Sequence, residues 1–472
     1  MNTTTTKERW YSGITYYQWL VLGIALVGWM FDIFEGQIFV ASMNEAIPSF
    51  LTEFSATERA AKATFYNNVA LISFLLGGTL GGVVFGMLSD RVGRKKTMAY
   101  SILFYSFFTW ITAFSQEWWH LALLRFFVAI GVGGQWAVAS AFIAEVFPSK
   151  ARAHAASIFH AFGSLGTFLA AGVGAFVLGS AAVETWCRTS SLLTWTHSLF
   201  EPVTLPWRLC FTIGLLPSIL VFFILFLLKE PESWTVAKKR ATQNLQQQTG
   251  VIIDLFKGTN FRSTLVGVSL AGIGMATFWG VHVNGKNTLR LAAERQTIST
   301  ISIVDTEPQF SNSQTGLLKR WEMFGMILVT IGLLFGQLYF GPLSQKIGRK
   351  NTFVFFHLGA FMISMIVLQI SWEITVLCFL LPVFGFFTAG MHAGYAVYFP
   401  ELYPTRLRGT GTGFCFNMGR FMASPFLLIT GWMVSYGGFT FLGATTILSF
   451  LYLLGPVAVL FGKETRGTEL TE

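Results

Sequence analysis

Apolar residues run along this chain in uninterrupted blocks of about 20, not in stripes of 3.6-residue period, so the predicted helices are apolar on every side and face lipid. Charged and turn residues bound the blocks near 17–40, 66–88, 97–116, 120–144, 153–178 and 207–228. A second set follows near 263–284, 322–343, 353–371, 374–399, 409–434 and 439–461. The pattern predicts an all-α membrane protein with twelve transmembrane helices. A polar stretch from Lys229 to Arg262 separates two groups of six, which divides the chain into a bundle at 1–228, a linker at 229–262 and a bundle at 263–472. The first block follows a polar, basic segment but contains Asp32 and Glu35, so it reads as a retained helix and not as a cleaved leader.

Composition agrees with the pattern. Of 472 residues 53% are hydrophobic and only 12% charged, about half the charged fraction of a soluble enzyme. The net charge of +9 does not mark a nucleic-acid binder, because no basic module interleaved with aromatics accompanies it. About two thirds of the 32 lysines and arginines fall on one side of the predicted membrane, the side holding both termini, which should be cytoplasmic. The expected location is the plasma (cytoplasmic, or inner) membrane. Cys187, Cys210, Cys378 and Cys415 are scattered and suggest packing, with neither a disulfide framework nor a metal site. Two long outer loops, 179–206 and 285–321, are either small caps over an entrance or tolerated insertions.

Two charged motifs repeat at one spacing. Gly86-Met-Leu-Ser-Asp90-Arg91-Val-Gly93-Arg94-Lys95 returns as Gly341-Pro-Leu-Ser-Gln345-Lys346-Ile-Gly348-Arg349-Lys350, and Glu145-Val-Phe-Pro148-Ser-Lys-Ala-Arg152 returns as Glu401-Leu-Tyr-Pro404-Thr-Arg-Leu-Arg408. The two halves are therefore copies of one six-helix unit. Parallel repeats of this kind belong to transporter architectures, with the substrate between the halves near the bilayer midplane. These motifs resemble those of the major facilitator superfamily over essentially the whole chain. Arg125-Phe-Phe-Val-Ala-Ile-Gly131-Val-Gly133-Gly134 and Pro231-Glu232-Ser233 are similar to the sugar-porter-like branch, which includes organic-acid:proton symporters. Gly134-Gln135-Trp136 and Asn417-Met-Gly419-Arg420 resemble the organic-acid members more closely.

The loop motifs have a physical reading of their own. Gly86 and Gly93 remove side chains where helices approach or turn, and Asp90 can accept from helix-terminal amides. Arg91, Arg94, Arg152, Arg349 and Arg408 are expected to face Asp90, Glu145 and Glu401 and to hold a cytoplasmic gate shut, or else simply to anchor topology. At a wet surface each pair contributes only about 0–1 kcal/mol, so a network is required. Gln345 and Lys346 replace the acid and arginine in the second copy, which predicts an asymmetric gate.

A charge inside a span costs about 2.5–3.5 kcal/mol on insertion scales and is a functional candidate for that reason. Asp32 and Glu35, three residues apart, share a face of the first span. Two carboxyls so close in a low-dielectric cleft cannot both ionise cheaply, which suits a proton carrier. By the resemblance, Glu35 and Arg125 fall where symporters place a first-helix acid and its fourth-helix partner, and Asp32 matches an additional acid of aromatic-acid symporters. A permanent structural pair between Glu35 and Arg125 is the alternative. Arg420, about three turns beyond Arg408, offers a planar fork for a carboxylate, or pairs with a carbonyl or an acid of the first span. Gln135, Trp136, His160, Trp279 and Asn417 are candidates to line the substrate site, with His282, Asn284 and His392 held more loosely.

No phosphate-binding loop, metal-ligand spacing or nucleophile elbow occurs, so neither a cofactor, a metal nor an enzymatic activity is expected. The predicted function is alternating-access secondary transport of a small polar metabolite, with an organic anion imported alongside protons by a monomer in the lipid bilayer. A sugar or polyol symporter, an organic-cation or drug antiporter, and a non-transporting receptor of this fold stay open as alternatives.

Overall fold

The computed structural model describes residues 9–178, 181–243, 248–298, 312–435 and 438–470. Among these the chain is helical throughout and has no strand. The helices are α1 (Tyr16–Ala46), α2 (Ala56–Val92), α3 (Arg94–Thr112), α4 (Trp118–Val146), α5 (Ser149–Phe162), α6 (Ser164–Val173), α7 (Ala181–Thr189), α8 (Leu205–Ile213) and α9 (Ser218–Leu227). After α10 (Glu232–Gln243) come α11 (Gly258–Thr277), α12 (Lys286–Ile298), α13 (Asn312–Ile347), α14 (Arg349–Gln369), α15 (Ile374–Gly390), α16 (His392–Tyr398), α17 (Arg408–Ser435), α18 (Phe441–Ser449) and α19 (Leu454–Leu460). Each of the twelve predicted blocks falls on helix. Several are broken: the fifth runs through α5, α6 and a π-helical turn at Gly174–Leu178, and the sixth bends between α8 and α9 at Pro217.

Local chemistry sets the ends. Thr15 and Gln18 cap α1 reciprocally, as Ser55 and Glu58 cap α2. Between α2 and α3 the chain turns at Gly93, φ +121°, and between α13 and α14 at Gly348, φ +94°, a region that favours glycine. In each turn a distant carboxylate covers the exposed amides. Glu230 accepts from the Arg94 and Lys95 N–H at 2.7 and 3.2 Å, and Glu464 accepts from the Arg349 and Lys350 N–H at 2.9 and 3.1 Å.

The sequence repeat extends into the packing. A Cβ on Gly77 or Gly81 of α2 would land on the carbonyls of Phe126 or Ile130 of α4, and one on Gly332 or Gly336 of α13 would land on those of Pro382 or Phe386 of α15. Small residues here let the backbones touch, which is how helices associate where lipid is as apolar as the side chains. Nine helical segments among the described residues are long and apolar enough to cross a bilayer. α3, the broken fifth span and α17 are not among them; α3 opens on Arg94, Lys95 and Lys96, and α17 carries Arg408 and Arg420.

Residues 181–206 of the first outer loop fold onto the adjoining spans. Cys187, Phe200 and Leu205 form a small core of their own, and the buried Arg208 lies against the rings of Phe200 and Trp207 while donating to the Ala113 and Ser115 carbonyls, each at 2.7 Å. The loop at 285–321 begins with α12 and ends in the first turns of α13; its residues 299–311, like 179–180, lie outside the described residues.

Candidate functional site

Two polar clusters form, one at the end of the molecule that carries the repeated motifs and one along the middle of α1, α4 and α17. At the motif end Arg94 bridges Asp90 (2.7 Å) and Glu145 (2.8 Å), and Glu145 also receives Arg408 at 2.8 Å. The second copy builds the matching arrangement: Arg349 pairs with Glu401 at 2.9 Å, and Arg152 approaches Glu401 at 3.7 Å. Backbone contacts repeat as well. Arg152 Nε donates to the Ala144 carbonyl at 3.0 Å and Arg408 Nε to the Pro400 carbonyl at 3.1 Å.

The copies differ at the expected position. Asp90 accepts from the Gly409 and Thr410 amides at 3.1 and 2.8 Å and from the Thr410 hydroxyl at 2.6 Å, covering the first turn of α17. Gln345, an amide in the equivalent place, donates to the Ser149 and Lys150 carbonyls at 2.9 and 3.3 Å. Beside this contact a Cβ on Gly86 would lie 2.7 Å from the Gly409 carbonyl.

Two expectations need correction. The pairs are not wet surface contacts: Asp90, Arg94, Glu145 and Arg408 are fully buried, so removing one partner strands a buried charge, at a cost of about 3–5 kcal/mol. Among the described residues Arg91 pairs with no acid, and its guanidinium donates to the Gly250 carbonyl at 3.2 Å.

Glu230, Glu464 and the contacts of the linker with the motif end were not singled out from sequence. Trp234 and Lys238 of α10 donate to the Asp90 and Arg91 carbonyls at 2.8 and 2.6 Å. Gly250 N–H donates to the Arg406 carbonyl at 2.9 Å, and Arg406 pairs with Asp254 at 2.7 Å. That hydrogen bond holds the Asp254 carboxyl below the usual range. The only sequence signal for the two glutamates was their matching place, just after the sixth and twelfth spans.

In the middle of the molecule Asp32 and Glu35 are buried in the interior of the helix packing, at 1% and 0% exposure. Glu35 Oε2 accepts from the Thr109 hydroxyl at 2.7 Å. Arg125 is buried beside it but turns its guanidinium to the Glu35 backbone carbonyl (3.3 Å) and over the Phe211 ring (5.0 Å), in place of the expected carboxylate pair. Trp136 Nε1 donates to His160 Nδ1 at 3.1 Å, and Trp29 Nε1 to the His160 carbonyl at 3.0 Å.

Trp136 stacks on Phe416 of α17 with centroids 3.7 Å apart. Arg420 lies over the other flank of this group, 5.0 Å from the Phe416 centroid, and donates to Asn417 Oδ1 at 3.0 Å. Arg420 is partly exposed, with Asp32 within its electrostatic reach. Trp136, His160, Asn417 and Arg420 are thus brought together. Gln135 points away from them, accepting from Ser101 at 2.9 Å, and its buried Nε2, beside Gly28, has no hydrogen-bond partner among the described residues. Among the described residues the one aromatic partner of Trp279 is Phe278, met edge-on. That phenylalanine stacks on His282 at 4.9 Å in a π-helical turn, Phe278–His282, of the kind common at functional sites. His282 bonds Thr388 at 2.7 Å, His392 bonds the Gly274 carbonyl at 3.2 Å and Asn284 the Gly280 carbonyl at 2.9 Å.

Residues 33–293 match the family profile described as Major Facilitator Superfamily, and residues 295–472 match that of Sugar (and other) transporter. The chain is 26% identical over 463 residues to the niacin transporter of Acinetobacter baylyi, covering 96% of each protein. It is 24% identical over 398 residues to the cis,cis-muconate transport protein of the same organism, covering 84% of each. The solved structure of a proton:xylose symporter bound to 6-bromo-6-deoxy-D-glucose aligns with 96% of this chain and 98% of its own, at 19% identity and a TM-score of 0.66, and so has the same fold. These likenesses are to transporters and not to enzymes. With a profile matched over more than half of its residues and the fold to go with it, the chain belongs to the major facilitator superfamily of multi-pass membrane transporters.

Proposed function

We propose that the protein imports an organic anion together with protons across the plasma membrane, working as a monomer whose two bundles, 1–228 and 263–472, rock about the linker at 229–262. Both termini lie on the cytoplasmic side. The observation that carries the reading is Arg420: a guanidinium halfway along a span, partly exposed, with Asn417 as its hydrogen-bond partner and an aromatic face beneath it. A planar cation so placed attracts a carboxylate and fixes its orientation. Relatives named for niacin and cis,cis-muconate support the same cargo chemistry.

Asp32 and Glu35 carry the coupling proton. Asp32, within reach of Arg420, ties the two loads together, since its charge competes with the substrate carboxylate for the same guanidinium. The buried ion pairs at the motif end form the cytoplasmic gate, closed in this arrangement, and substrate enters from the opposite side. Opening requires Arg408 and Arg152 to leave the acids of the other bundle. A second reading, sugar:proton symport, is favoured by one observation, the unpartnered Nε2 of Gln135, a neutral donor suited to hydroxyls.

The test is uptake of labelled nicotinate, cis,cis-muconate, D-xylose and tetraethylammonium by reconstituted liposomes with an inwardly directed proton gradient. Accumulation of an acid, lost in Arg420→Gln, supports the reading. Accumulation of xylose alone selects the second reading, and tetraethylammonium as the sole cargo overturns both.

A further inference from the structure

Ser101, Tyr105, Thr109 and Thr112 recur along α3 at intervals of four, four and three residues, which places their hydroxyls in one stripe. All four side chains are fully buried, and the stripe runs about 16 Å along the helix, half the thickness of the hydrocarbon layer. Each hydroxyl meets a different group. Ser101 donates to Gln135 at 2.9 Å, Thr109 donates to Glu35 at 2.7 Å, and Thr112 accepts from Arg125 at 3.4 Å. Tyr105 is the donor that faces Asp32, with Glu35 also near it.

In the middle of the stripe the polar atoms lack partners. Among the described residues, both carboxylate oxygens of Asp32, Oε1 of Glu35 and the Tyr105 hydroxyl find no hydrogen-bond partner. Stranded polar atoms in an apolar interior cost free energy, and a proton shared among these three groups supplies the missing bonds. The Thr109–Glu35 bond at 2.7 Å sets the register of α1 against α3, which brings Tyr105 and Asp32 level one turn back on each helix. The neighbouring backbone packs tightly on both groups: a Cβ on Gly131 would lie 2.7 Å from Tyr105 Cβ, and one on Gly214 would lie 2.8 Å from Glu35 Oε1. The charges facing the group are Arg125, on the Glu35 side, and Arg420, on the Asp32 side.

We propose that Tyr105 relays the coupling proton between Glu35 and Asp32, so that α3 provides a proton route inside the first bundle that ends at the carboxyl group facing Arg420. The inference rests on the reading of Asp32 and Glu35 as proton carriers. A phenol both donates and accepts. In the transfer the O–H bond of the Glu35 carboxylic acid breaks and its proton goes to the Tyr105 oxygen, while the phenolic proton moves to the Asp32 carboxylate. One proton is displaced, Tyr105 is neutral before and after, and no electrons change hands. The reverse sequence runs from Asp32 to Glu35.

The test is hydrogen–deuterium exchange of buried carboxyl groups, followed by infrared spectroscopy on protein in lipid films at mildly acidic pH. The Asp32 and Glu35 bands are assigned by their loss in Asp32→Asn and Glu35→Gln. In Tyr105→Phe the Asp32 band is expected to exchange about 10²-fold more slowly, the usual worth of a positioned acid–base group, with Glu35 unchanged. Glu35→Gln keeps the phenol but removes its proton source, so it should slow Asp32 equally, and it decides the matter if Tyr105→Phe does not fold. Unchanged Asp32 exchange in the variants overturns the relay alone. Absence of both bands from the wild type at every pH tested overturns the proton-carrier reading and the relay with it.

Discussion

Arg408 reaches Glu145 at 2.8 Å across 263 residues of sequence, and the equivalent residues of the other copy, Arg152 and Glu401, approach at 3.7 Å. The two contacts are related by the same internal repeat that relates Gly77 to Gly332. Each arginine therefore leaves its own copy's acid to the first-motif arginine, Arg94 or Arg349, and reaches for the acid of the other. A contact of this reciprocal kind closes one end of the molecule while leaving each half intact on its own.

Glu145→Gln leaves Arg94 and Arg408 without their shared carboxylate. The closed arrangement should lose about 3–5 kcal/mol, enough to shift a two-state population by two or more orders of magnitude. A cysteine placed at Ala137, which is buried against Gly413, should be labelled by maleimide in the variant and resist labelling in the parent. Equal labelling of both would remove the gate role.

Glycine contacts separate gate from scaffold. A Cβ on Gly413 would collide with the Gly82 carbonyl of α2, whereas one on Gly133 would collide with the Gly78 carbonyl within the first bundle. Gly413→Ala should favour separation of α2 from α17, raising the same labelling with little change in melting temperature. Gly133→Ala should cost about 1–3 kcal/mol by overpacking, read as a lower melting temperature.

Arg420→Gln removes a charge-assisted contact with substrate, about 1.5–3 kcal/mol, or roughly 10- to 150-fold in apparent affinity for an organic acid. Arg420→Lys should recover part of this loss, because an ammonium keeps the charge but not the fork. The KM for the transported acid reads both.

The linker contact has its own pH window. Because Arg406 lowers the Asp254 carboxyl in the folded protein, the contribution of that pair is complete above the unfolded value, about 3.9, and is lost as pH falls through the lower folded value. Amide exchange of residues 250–257, corrected for its intrinsic pH dependence, should stay constant from neutral pH down to about 4 and rise in Asp254→Asn at every pH. Loss of protection near neutral pH would exclude the pair as the clasp.

Hydropathy made the helical fold legible, because a lipid-facing helix must be apolar all round, and the paired motifs exposed the repeat, because the acid and arginine needed at each helix turn are the same in both copies. Other features lay beyond such patterns. Glu230 and Glu464 act on amides more than a hundred residues away, and short motifs do not carry that distance. The α3 stripe was missed because Ser, Thr and Tyr weigh little in hydropathy, and only the position of α1 against α3 shows what they face. Arg125 shows the opposite limit. Its burial beside Glu35 was foreseeable, but that the guanidinium takes the Glu35 carbonyl while Oε1 of the carboxylate stays without a partner is set by side-chain geometry that no motif carries.

The most direct test of proton-coupled anion import uses liposomes holding the purified protein and a pH dye, with no imposed proton gradient, challenged outside with nicotinate or cis,cis-muconate beside Glu35→Gln liposomes. Acidification of the lumen on adding an acid, absent in Glu35→Gln, is the result the account predicts. Equilibration of the labelled acid across wild-type membranes with no change in lumenal pH would contradict it.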